Sequence, residues 1–117
     1  MTGLPLTAGT PLSPALDMLF SRWTPHILWL LDCSGPLRFA DLLRRLRPLG
    51  TAMLTLRLRE LEAAGLISHE LYMLHPPRVE YSLTEFGRSV RPVLQAIEVW
   101  TETQLRPAQV SSHKAVA

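Results

Sequence analysis

Six arginines, Arg38, Arg44, Arg45, Arg47, Arg57 and Arg59, crowd a stretch of the chain in which Asp41 is the sole carboxylate. A guanidinium is planar, permanently charged and presents a fork of donors that matches phosphate oxygens and the edge of guanine. Their spacing therefore points to contact with nucleic acid. The formal net charge of the 117-residue chain is only +2, and Lys114 is the one lysine. From Glu60 to Glu85 the balance turns acidic, so the positive field belongs to one segment rather than to the whole molecule.

Other chemistries find less support. His26, His69, His75 and His113 are too scattered for a metal cage, and Cys33, the single cysteine, has neither a CxxC partner nor a disulfide mate. Asp32 precedes Cys33, but a nucleophile needs a base placed in space, and no residue pattern supplies one. No glycine-rich phosphate loop is present. The expectation is a protein that is not an enzyme, with no metal and no cofactor, and with Cys33 packed at the end of a buried helix. The first residues lack a basic stretch followed by an apolar one, and no apolar run reaches membrane-spanning length. A soluble, cytoplasmic chain without a membrane partner is expected.

The arginines must be held by something, and punctuation along the chain indicates what. Residues 1–11 read as a flexible arm, residues 12–104 as one domain and residues 105–117 as a flexible tail. Ser13 and Pro14 open a short helix through Leu16, Leu19 and Phe20; Thr24 and Pro25 open a second, apolar on nearly all sides, to Asp32. After an extended "LRF", a third helix spans about Ala40 to Leu46, with Leu42, Leu43 and Leu46 inward and Arg44, Arg45 and Arg47 outward. Pro48 and Gly50 force a turn, and Thr51 is expected to cap a helix over 51–64 that Gly65 ends. "LISHELYML" and "RVEYSL" alternate around "HPP" as a hairpin over 66–83. Thr84 then caps a final helix through Val90, Leu94, Ile97 and Trp100, with a kink expected at Pro92.

Helix, short extended stretch, helix, tight turn, helix, hairpin is the order of a winged helix-turn-helix: mainly α, with a small β-hairpin wing. Setting Leu54 at zero and advancing ~100° per residue places Leu58 and Leu61 beside it. Ala52, Thr55, Leu56 and Arg59 then turn toward a DNA groove. Arg57 lies at the flank, suited to a phosphate or to Glu60 or Glu62. Arg45 represents the run on the preceding helix in which phosphate contact is expected. Arg78, near the hairpin tip, suits a narrow minor groove or pairs with Glu80 or Glu70.

The segments "RWTPHILWLL", "GPLRFADLLRRL", "LTLRLRELEAAGLI" and "PPRVEYSLTEFGRSVRPVL" resemble the HxlR-type winged-helix regulators, relatives of the MarR group, over roughly Pro11 to Glu102. The resemblance implies a homodimer on double-stranded operator DNA, with Thr51 opening the recognition helix and Thr55 and Arg57 matching its threonine and arginine. Between those two the family commonly has glutamine, where this chain has Leu56. The resemblance also implies dimer contacts through the first and last helices, here Leu16, Leu19, Phe20, Leu94, Ile97, Trp100 and Leu105. Some members sense oxidants through a cysteine before a proline ahead of the first helix; here Thr10 precedes Pro11, which implies that the thiol switch is absent. The expected function is a transcriptional regulator, repressor or activator, on a pseudo-palindromic operator. Two alternatives are a protein-interaction module and a regulator answering a small-molecule effector. The latter would bind in an apolar pocket at the dimer seam, lined by Met18, Trp23, His26, Trp29 and Trp100.

Overall fold

The computed structural model describes residues 12–105, so the arm, most of the tail and the Thr10–Pro11 position lie outside the described residues. Helices α1 (Leu12–Leu19), α2 (Thr24–Ser34), α3 (Phe39–Arg45) and α4 (Thr51–Ala63) are followed by strands β1 (Ile67–Tyr72) and β2 (Arg78–Leu83), the short α5 (Glu85–Arg88) and α6 (Arg91–Gln104). A mainly helical chain with one antiparallel hairpin matches the expected winged helix-turn-helix.

The centre is leucine-rich. Ile27, Leu28 and Leu31 of α2, Leu42 of α3, and Leu54, Leu58 and Leu61 of α4 are buried together, joined by Leu66, Ile67 and Leu94. Each such side chain withdrawn from water contributes on the order of 1.5–3 kcal/mol. This shared burial fixes α4 on the common core and leaves its opposite face free.

Several caps differ from expectation. α1 already includes Ser13 in its first turn. At α2 the cap position is Trp23, in left-handed conformation at φ 77°, while Thr24 is the buried first residue of the helix. At α4 the cap is Gly50 in extended conformation, and Thr51 is helical, too far along to accept from the first free N–H groups. Gly65, at φ 78°, turns the chain out of α4 as expected. Cys33 is exposed, not packed, because α2 runs on to Ser34 and carries it past the core.

The hairpin pairs Ile67 with Leu83, His69 with Tyr81, and Leu71 with Val79 on one face; Ser68 with Ser82, Glu70 with Glu80, and Tyr72 with Arg78 occupy the other. Leu37, in the "LRF" stretch, adds a bridge to Tyr81: its N–H donates to the Tyr81 carbonyl at 3.0 Å and its carbonyl accepts from Tyr81 at 2.8 Å. The wing is thereby tied to the helix-turn-helix at its root. Thr84 caps α5, its hydroxyl accepting from the Gly87 N–H at 3.0 Å. The expected single kinked helix is instead two. The chain breaks at Ser89 and Val90, and Pro92 sits in the first turn of α6, where its missing N–H is not needed.

Candidate nucleic-acid interface

The reading surface is built from α4. Its buried leucines point inward, and Thr51, Ala52, Leu56 and Arg59 are exposed, with Thr55 partly so. Leu56 is 46% exposed, a leucine on a face the core does not use. The Thr55 hydroxyl donates to the Thr51 carbonyl at 2.8 Å, which occupies its proton and leaves its oxygen as an acceptor. The exposed strip thus offers methyl and isobutyl groups beside one cation, a surface suited to thymine methyls and a phosphate or guanine edge.

Arg57 is held elsewhere. Its side chain is only 14% exposed; Nε donates to the Arg22 carbonyl at 2.7 Å and the guanidinium meets Glu60 at 2.8 Å. Of the two roles open to it in the sequence, the carboxylate pairing is the one observed, together with a backbone partner that no spacing rule reveals. Arg59 carries no ion pair among the described residues, and its charge lies close enough to Tyr81 to oppose the upward push that burial and Glu62 give that phenol.

On α3, Asp41 accepts the Arg38 N–H at 3.4 Å and pairs with Arg44 at 3.1 Å, an exposed contact worth little. Arg45 and Arg47 have no ion pair among the described residues. A shallow groove of about 260 Å³, lined by Leu43, Arg44, Arg47, Gly50 and Thr51, runs from α3 to the first turn of α4. Two arginines beside the free N–H groups of a helix start suit an anionic oxygen. The groove singles out Arg44 and Arg47 beside the expected Arg45, through a turn geometry that the charge run alone does not disclose.

Arg78 lies 3.5 Å from Glu80 and 5.9 Å from the Tyr72 ring centre. The expected dimer residues divide. Leu19 and Leu94 are buried within the protomer, whereas Leu16, Phe20, Ile97, Trp100 and Leu105 are exposed. Phe20, Pro92, Val93, Ala96, Ile97 and Trp100 line an apolar groove of about 560 Å³. Of the residues expected to line one pocket, Trp23 packs on His26 with ring centres 5.2 Å apart, and His26 and Trp29 border a groove against α6 that shares Ile97 with the groove of Phe20 and Trp100, whereas Met18 lines a separate groove beneath α1.

A reading helix laid across a supporting helix, with a hairpin beside it, defines a winged helix-turn-helix DNA-binding protein. The chain belongs to the HxlR-like helix-turn-helix family, whose model matches residues 18–109, and thus to the transcriptional regulators. It is 40% identical over 99 residues to the HTH-type transcriptional regulator YybR of Bacillus subtilis, covering 85% of this chain and 78% of that protein. To an HTH-type regulator of Methanothermobacter thermautotrophicus it is 42% identical over 101 residues, covering 86% and 76%. Among solved structures, the redox regulator HypR in its oxidized form superposes with a TM-score of 0.76 at 38% identity, covering 81% of this chain and 97% of that one.

Proposed function

We propose that this protein is a homodimeric regulator that binds a pseudo-palindromic operator, each protomer laying helix 51–64 in a major groove with the wing 66–83 beside it. The observation that carries this reading is the division of α4: Leu54, Leu58 and Leu61 fully spent on the core, Ala52, Leu56 and Arg59 free on the other side. In this reading Thr51, Ala52, Thr55 and Leu56 face base edges, while Arg45 and Arg59 meet phosphates. Arg57 acts from behind by setting the angle of α4, and Arg78 shapes the wing.

The apolar groove of Phe20, Val93, Ile97 and Trp100 supports the second half of the proposal, since Trp100 is 56% exposed beside three other exposed hydrophobics. A second copy bringing the same residues across a two-fold axis would cover them. Half-sites then lie about one helical turn, ~34–36 Å, apart. Mobility shift with genomic fragments tests the proposal: selective, salt-sensitive retardation supports it. Failure of folded, dimeric protein to shift any fragment would instead favour a protein-interaction module.

A responsive regulator is favoured by one further feature, the groove of about 460 Å³ between α2 and α6 lined by His26, Trp29, Leu94 and Ile97 with Glu98 and Glu102 at its side. An effector with an apolar body seated there would bear on both the core and the proposed dimer face.

A further inference from the structure

We propose that the wing of this chain meets DNA through an apolar tip, with Met73 and Leu74 wedged into the minor groove next to the α4 contact, and not through a clamp on phosphates. The inference rests on the DNA-reading assignment above and concerns what the wing adds to it.

The wing's charged groups offset one another on its surface. His69 Nδ1 lies 2.8 Å from a Glu62 carboxylate oxygen on α4. Arg78, the hairpin's one arginine, sits against Glu80 and the Tyr72 ring. Glu70 stands directly across from Glu80 and acts on the Tyr72 phenol. Such a hairpin repels phosphates as much as it attracts them, so release of counterions gives it nothing.

What it presents outward is hydrocarbon. Met73 is 79% exposed; Leu71, Leu74 and Val79 are exposed with it. Leu71 and Val79 are cross-strand partners at the outer end of the face that begins at buried Ile67, beyond the His69–Tyr81 pair, so the end of the wing on that face is apolar. Pro76 and Pro77 restrict the turn beyond it. Stiff apolar projections next to a groove-reading element are the means by which proteins part base steps and kink the duplex. DNA is the occupant because the wing continues from the reading helix itself. Glu62 on α4 holds His69 on β1, and the four residues from there to Met73 carry the tip ~13 Å beyond that anchor.

The test uses the full chain and a genomic fragment that it retards, with affinity measured across a salt series and bending by energy transfer between labelled DNA ends. The double variant Met73→Ser/Leu74→Ser, changed only at exposed positions, is expected to bind about tenfold more weakly. It should bend the fragment less, with an unchanged slope of log affinity against log salt. Arg78→Ala is expected to leave that slope alone. Unchanged affinity and bend in the double variant would overturn the proposal, as would a slope reduced by about one in Arg78→Ala, which marks a phosphate clamp. So would a double variant that binds and bends normally but loses its effect on transcription with polymerase present, which places a protein on the tip. Those failures leave the reading by α4 standing, whereas a wild-type protein that retards no fragment overturns both.

Discussion

Arg57 Nε donates to the carbonyl oxygen of Arg22 at 2.7 Å, joining the reading helix to the corner where α1 turns into α2. The next residue, Trp23, holds a left-handed conformation uncommon outside glycine, and Arg22 stacks over its ring at 5.7 Å. A charge-assisted bond to that corner fixes both the angle of α4 and the departure of the first helix. Arg57→Ala should therefore lower unfolding stability by ~1.5–3 kcal/mol, the scale for hydrogen bonds to charged groups. Chemical denaturation measures this. A variant of unaltered stability whose DNA binding loses salt dependence would instead assign Arg57 to a phosphate.

Two leucines separated by a half-turn should behave oppositely. Leu54 is fully buried, and truncation to alanine should cost ~2–5 kcal/mol through lost burial and a residual cavity. Leu56→Ala, on the free face, should stay within ~0.5 kcal/mol of the parent. Leu56→Gln should preserve the fold and change which sequences are selected, because glutamine can pair with adenine where leucine offers only apolar contact. Selection of identical sequences by both proteins would remove Leu56 from the base edges.

Gly87 is required by close approach. A Cβ built there would lie 2.0 Å from the Leu66 carbonyl oxygen and 3.3 Å from Leu83 Cδ2. That carbonyl already accepts from the Thr84 N–H at 3.1 Å, so it cannot yield freely. Gly87→Ala should destabilise by ~1–3 kcal/mol, read from the melting curve, by forcing α5 away from the root of the wing.

The chain has two tyrosines, and both are pushed above the ordinary phenol value of 10.0. For Tyr72 the chief cause is the charge of Glu70; for Tyr81 it is burial, reinforced by Glu62. Phenolate absorbance of the folded protein should thus rise only above pH 10. Because the unfolded chain then releases these protons first, their contribution to stability is intact below about pH 10 and is lost as pH climbs further. Titration at the ordinary value would contradict the burial of Tyr81 beside Glu62 of α4.

Periodicity exposed most of this fold. Leu54, Leu58 and Leu61 mark α4 and its buried face, and alternation marks both strands, because burial imposes those repeats on sequence. Cap chemistry was less legible. Thr24 and Thr51 are good capping residues placed one position inside their helices, and only the backbone angles of Trp23 and Gly50 reveal it. The roles of charged residues were legible only in part. Arg57 and Arg78 look alike in sequence to Arg45 and Arg59, yet their partners, the Arg22 carbonyl and the Tyr72 ring, are set by tertiary placement. The expected pocket is legible in the same partial way: His26 and Trp29 gather against α6 with Trp23 packed on His26, while Met18 lies beneath α1, a separation that a list of side chains cannot show.

The central claim is that paired α4 helices read two adjacent major grooves. Methylation protection of guanine N7, an atom that lies in the major groove, on a genomic fragment bound by the protein tests it most directly. Two protected clusters about 10–10.5 base pairs apart, centre to centre, are expected, both altered in Leu56→Gln. Protection at one cluster alone, or retardation without any major-groove protection, would contradict it.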